Sequence, residues 1–265
     1  MALALGLVTA ASSQAAVDVT FGSGANPAAI QAAVDGFRAQ LGVNNGVGGS
    51  FASGRREINW DGVPDNFAQP NLLPVDFFNV NSPRGVVFNA LEYETGAALN
   101  GFMVSADSSN PTNTPVEFGD IDPSYATNFQ PFSSQRLFHV RNGSAMDVLF
   151  FVPGTTTPAT VAGFGVVFTD VDGSTGGDRS ILRCYGADAR QVGAASAPAY
   201  DNGLSFVGMI ATGGDRIARC NIEIGNRRLS SGAVDGTNGT DAVALDDFIY
   251  GEPRSILTIF ENGFD

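Results

Sequence analysis

The chain has 265 residues and carries 14 basic against 27 acidic side chains, a formal net charge of −13 that makes nucleic acid and anionic membrane poor partners. All the basic residues are arginine; charged residues make up only 15%, while 33 glycines and 20 phenylalanines indicate a turn-rich protein with aromatic-lined sheets. An apolar content of 43% is enough to fill a core, which excludes a disordered chain.

The chain opens with an apolar run, Ala2 to Ala11, followed by Ser12-Ser13-Gln14-Ala15-Ala16. This reads as the end of a secretory signal peptide with a small-residue cleavage site, so residues 1–16 are expected to be a leader and the protein to be secreted or held at the cell surface of a bacterium. The run is too short to span a bilayer, and no other segment approaches the ~20 apolar residues required.

One segment reads as a helix. Asn26 suits an N-cap, Pro27 the first helical position, and Ile30, Ala33, Val34, Phe37 and Leu41 recur at helical spacing before Gly42 supplies a left-handed stop. From Arg55 onward the period switches to two. Arg56 to Asp61 reads as a strand, 64–83 as a proline-rich surface segment, and Gly85–Phe88, Gly101–Ser105 and Pro115–Phe118 as short strands. Arg136–Val140 and Asp147–Val152 bracket Asn142-Gly143, a strong hairpin signal. Further strands follow over 162–172, 180–185, 188–192, 204–210, 216–224 and 241–250. About ten strands with one helix predict an all-β protein: two packed antiparallel sheets in a jelly-roll-like β-sandwich, one domain over 17–251 with a C-terminal tail at 252–265.

Two cysteines, Cys184 and Cys220, form an even count in an exported chain. That favours a disulfide; the alternative is two buried thiols packing as small hydrophobes. In the strand 216–224, Cys220 shares the inward face with Ala218, Ile222 and Ile224.

Three stretches, Val161–Asp172, Gly203–Gly208 and Val243–Gly251, together with the order of strands, resemble a set of bacterial secreted proteins: the jelly-roll domains of PEP-CTERM-type exported proteins associated with extracellular polysaccharide. The similarity covers roughly residues 20–251 and rests on structural motifs, so it implies a sandwich fold and an exported life rather than a chemistry. The tail Ile256-Leu-Thr-Ile-Phe-Glu-Asn-Gly-Phe-Asp265 departs from that family, lacking a Pro-Glu-Pro motif and a terminal basic cluster. It is similar instead to the Ile-Phe-x-x-Gly-Phe-Glu ending of many secreted gammaproteobacterial proteins, with Asp265 in place of Glu.

The chemistry available is narrow. His139, the one histidine, lies in a strand between Phe138 and Val140 with no Gly-x-Ser-x-Gly elbow to accompany it, and a zinc site needs more His and Cys than the chain owns. Carboxylates remain. Asp170 and Asp172 lie on one face at the end of a core strand, with Asp178 returning across a glycine loop, an arrangement that a hard cation such as calcium would relieve of repulsion, although the spacing fails the EF-hand pattern. Asp246-Asp247 is a second candidate, because successive strand residues face opposite ways and one carboxylate must point inward, near Asp61 if the edge strands adjoin. Tyr93, Tyr125 and Tyr200 sit in or near loops where they could stack on a sugar ring, whereas Trp60 at mid-strand reads as core. The resulting expectation is a secreted, calcium-stabilised, non-catalytic surface or matrix protein with extracellular polysaccharide as partner. The alternatives are a carbohydrate-active enzyme of sandwich architecture and a structural subunit of an extracellular assembly.

Overall fold

The computed structural model describes residues 17–91, 98–99, 101–173, 180–232, 235–236 and 239–256. In chain order, β1 (Val17–Gly24) leads into α1 (Pro27–Leu41) and β2 (Arg55–Ile58), and a short helix, α2 (Phe77–Val80), precedes β3 (Val86–Leu91), β4 (Ala98–Leu99) and β5 (Phe102–Val104). Then come α3 (Tyr125–Asn128), β6 (Phe138–Val140), β7 (Ala145–Phe150), β8 (Ala159–Thr160), β9 (Gly163–Val171) and β10 (Ile181–Tyr185). β11 (Gln191–Ser196), β12 (Tyr200–Ala211), β13 (Arg219–Glu223), β14 (Ala244–Gly251) and β15 (Arg254–Ser255) complete the set.

These strands form an antiparallel two-sheet sandwich. One sheet runs β1-β12-β9-β14-β6-β5 with β2 also on β14; the other runs β11-β10-β13-β7-β3-β4; β8 and β15 pair separately. The inner faces meet in one large core whose centre is aromatic. The Trp60 ring stacks on Phe138 with centroids 4.0 Å apart and takes Phe78 and Phe248 edge-on, while its Nε1–H donates to the Asp246 carbonyl at 3.1 Å.

The first sheet is covered on its outer face as well. α1 lays Ile30, Val34, Phe37 and Leu41 against Val167, Leu204, Phe206 and Ile249. Two glycines permit this approach: a Cβ on Gly165 or Gly208 would stand 2.8 Å or 2.6 Å from the Phe37 ring. Asn26 caps the helix by accepting from the Ala29 N–H at 3.2 Å. Further along the same face, Phe118, Tyr125, Phe129, Leu137 and Leu229 close over Met103 and Ala244. Every residue of β9 and β14 is therefore buried, and neither strand shows an inside–outside alternation.

Three details differ from the sequence expectation. Asn142-Gly143 does not close a hairpin: β6 pairs within the first sheet and β7 within the second, so the turn is a corner between sheets. Pro115–Phe118 makes only an isolated bridge, Val116 to Ala106, because Glu117 and Phe118 both turn to positive φ. Residues 17–24, for which the sequence predicts no strand and which end in the turn-like Gly22-Ser23-Gly24, form a full edge strand on β12.

Two covalent or ionic ties fasten the sandwich. Cys184 and Cys220 face each other across β10 and β13 and are bridged, with Cα atoms 4.1 Å apart. Arg56 and Glu252, both fully buried, form a two-pronged ion pair at 2.6 and 2.7 Å. The remaining Arg56 donors hold the carbonyls of Gly46, Gly48 and Gly49, and Glu252 also accepts from Asn45 Nδ2 and the Phe51 N–H. The glycine-rich loop 44–54 is thus fixed from beneath. Among the described residues no helix is long and apolar enough to cross a membrane.

Candidate functional site

The end of β9 carries the most unusual group of charges. β12 enters its pairing with β9 through a register irregularity between Tyr200 and Leu204, which loops Asp201-Asn202-Gly203 out beside the β9 terminus. Asp170 there adopts a left-handed backbone, φ 67°, and its side chain is fully buried. Its Oδ1 accepts from the Asn202 N–H at 2.7 Å, while Oδ2 is buried with no hydrogen-bond partner; Asp172 Oδ2 is in the same position.

Further carboxylates converge on these two. Oxygens of Asp170, Asp172 and Asp201 lie within 4.8 Å of one another, and so do those of Asp172, Asp235 and Asp241, making Asp172 the shared member. Burial, then the Asp235 and Asp172 charges, push the Asp170 carboxyl up to about 9. Burial, then Asp235 and Asp201, push Asp172 up to about 6. Without a counter-charge such a group holds protons that ordinary carboxyls release below neutrality. An all-oxygen, multiply acidic set of this kind fits a hard divalent cation, which would satisfy the stranded Oδ2 atoms.

Asp170 and Asp172 are thus brought together, but with partners that the sequence pattern did not single out. Asp201 comes from the irregular start of β12, Asp235 from the turn Asp235-Gly236, and Asp241 from the segment just before β14, three places with no shared local signal. Asp178 and Tyr93 lie outside the described residues.

Asp246 and Asp247 are both buried, not one of two, because β14 is irregular between Leu245 and Phe248 and the segment before β6 folds over its outer face. Their donors come from the protein itself. Asp246 Oδ2 accepts the Phe132 and Ser133 N–H groups at 2.6 and 3.1 Å; Asp247 accepts the Ser133 hydroxyl at 2.7 Å and Arg38 Nη2 at 3.1 Å. The same Arg38 nitrogen reaches Glu57 at 2.9 Å, and Asp61 accepts from the Gln135 and Arg136 N–H groups near by. Burial raises Asp246 well above the usual carboxylate range and lifts Asp247 to about 6. With their oxygens bonded in this way, the pair is a structural latch joining β14 to α1 and to the segment before β6.

Open cavities lie on the surface formed by the described residues. One of 580 Å3, lined by Gln69, Pro70, Leu72, Met103, Arg141 and Leu229 among others, sits over the loop-covered face; one of 430 Å3 opens between α1 and β14 above Glu57 and Asp247.

Of the aromatic candidates, Tyr125 is fully buried and its hydroxyl donates to the Ser230 carbonyl, so its ring is not offered to a ligand. Tyr200 is 39% exposed at the start of β12, beside the carboxylates. Trp60 is core, and His139 is buried with its pKa lowered to about 4 by desolvation, a neutral imidazole whose Nδ1 bonds the Val140 carbonyl. No protein-family model, curated protein or solved structure matches the chain. What the protein does must therefore be argued from these sites.

Proposed function

We propose that the protein is an exported, calcium-stabilised β-sandwich that serves as a non-catalytic surface or extracellular-matrix protein with polysaccharide as its partner. The observation that carries this reading is the Asp170 side chain, fully buried with an unpartnered oxygen among four further carboxylates. A buried carboxylate left without donors costs several kcal/mol, and calcium, abundant outside cells, offsets that cost even at millimolar affinity. Export is supported by the leader-like first 16 residues and by the Cys184–Cys220 bridge, since such bonds persist in oxidising compartments. Equilibrium dialysis of the protein against millimolar calcium should find about one equivalent or more bound per chain. The Asp172→Asn variant should lose it, and a metal-free wild-type protein would refute the reading. Fractionation of the source cells should find the chain outside the cytoplasm.

One observation favours a carbohydrate-active enzyme as a second reading. Glu57 and Asp247 both touch Arg38 Nη2, which places their nearer oxygens within about 6 Å of each other at the mouth of a cavity, close to the ~5–5.5 Å spacing of retaining glycosidases. Release of reducing ends from a polysaccharide, lost in Glu57→Gln, would establish it.

A further inference from the structure

The 430 Å3 cavity gathers polar side chains from distant parts of the chain: Gln31 and Arg38 from α1, Glu57 from β2 and Asn59 just beyond it, Arg84 from the approach to β3, and Asp247 from β14. Its volume falls in the ~300–1,000 Å3 range of small-ligand sites. Two features of the lining define what fits.

The first is charge. Two guanidiniums, Arg38 and Arg84, stand against two carboxylates, Glu57 and Asp247, so the walls do not select an ion of either sign. The overall charge of −13 disfavours anions further.

The second is hydrogen-bonding capacity. Glu57 is held in place by Arg55 and Arg38, yet its carboxylate has about four lone-pair sites and these contacts leave some of them open. Arg84 is half-buried with its guanidinium over the Phe78 ring at 5.5 Å. Among the described residues its side chain bonds only Ser82 and makes no ion pair, so most of its N–H donors remain for something else. A half-buried guanidinium without a carboxylate, set beside pre-oriented carboxylates, asks for a ligand that donates and accepts over a short span while carrying no charge. Sugar hydroxyls do both.

We infer that this cavity is the saccharide-binding site, taking a neutral pyranose unit whose hydroxyls donate to Glu57 and accept from Arg84 and Gln31. The inference rests on the polysaccharide partner proposed above and names where that partner sits; Tyr125 and Tyr200, two of the residues expected to stack on sugar, are not part of it.

The test is titration calorimetry of the full chain in calcium, with gluco-, galacto- and manno-oligosaccharides as neutral probes and oligogalacturonate as the anionic one. At least one neutral probe should bind with Kd of order 0.1–1 mM, about −4 to −5.5 kcal/mol. Arg84→Met, which keeps an unbranched stem on Phe78, and Gln31→Leu on the helix surface should each weaken binding at least tenfold. Neither should move the melting temperature or its response to calcium. No binding by any neutral probe, unchanged affinity in both variants, or binding of the anionic probe alone would overturn the assignment. Sugar binding that is unchanged in both variants refutes the cavity alone, while absent sugar binding with an intact calcium shift refutes the polysaccharide partner as well. An absent calcium shift with intact sugar binding refutes only the metal.

Discussion

Replacing Asp170 by asparagine separates the cost of the carboxylate cluster from the benefit of a cation. In wild-type protein stripped with EDTA, Asp170 is fully buried and its pKa stands at about 9, against an ordinary carboxylate value of 3.8 in the unfolded chain. A raised folded pKa means that the stability associated with the protonated form is fully present below about pH 4 and is lost progressively as pH rises towards about 9. Asp172, raised to about 6, adds to the loss over its lower part. Apo wild type should therefore melt at lower temperature at pH 8 than at pH 5 from these groups, and Asp170→Asn, which imitates the protonated side chain, should melt higher than wild type at pH 8 in EDTA. Calcium reverses the order. With a Kd of ~0.1 mM, as in extracellular modules, 10 mM calcium stabilises by about 2.7 kcal/mol, which for a chain of this size is a rise of roughly 5–10 °C. Asp170→Asn should lose most of that rise. Differential scanning calorimetry of both proteins, at pH 5 and pH 8, with calcium and with EDTA, gives the full comparison. Superimposable wild-type curves with and without calcium, or an equal calcium shift in the variant, would refute the reasoning.

Three other outcomes follow from the same structure. Cutting the Cys184–Cys220 bridge, which closes a 36-residue separation, should cost about 3–4 kcal/mol, read as a lower urea midpoint for the Cys184→Ser/Cys220→Ser double variant, with a steeper slope as the unfolded chain expands. Glu252→Gln should destabilise by about 3–5 kcal/mol, because it leaves the fully buried Arg56 guanidinium without its counter-charge, and limited proteolysis should then cut within 44–54. Asp246→Asn should be tolerated at pH 8, within about 1 kcal/mol of wild type, since the amide oxygen still accepts from Phe132 and Ser133. Asp246→Ala, which strands those two N–H groups, should cost about 2–4 kcal/mol by chemical denaturation.

The all-β architecture was legible because alternating apolar residues after Arg55 mark strands wherever one face meets water, as along β10 and β13. The pattern fails where both faces are covered. In β14 the helix on one side and Phe138, Phe164 and Trp60 on the other bury Asp246 and Asp247 together, so counting alternate residues misjudges which of them is inside. The Cys184–Cys220 pair could be suspected from its even count, but Arg56 and Glu252, 196 positions apart, have no local signature. The carboxylate site was half visible for a similar reason. Asp170 and Asp172 stand two apart at the end of β9, while Asp201 arrives on the irregular start of β12, Asp235 on a turn and Asp241 on the segment before β14. Tyr125 misled in the opposite direction, since a tyrosine in a turn-rich stretch is not distinguishable by sequence from one that caps a secondary core.

Trp60 is the one tryptophan of the chain, and its position makes it an optical reporter built into the molecule. Sealed between the two sheets and bonded to the backbone of Asp246, the indole should emit in the blue and shift to the red only when the sheets part. The same emission, followed against pH in the folded protein, should sense the protonation of the neighbouring aspartates without any added label.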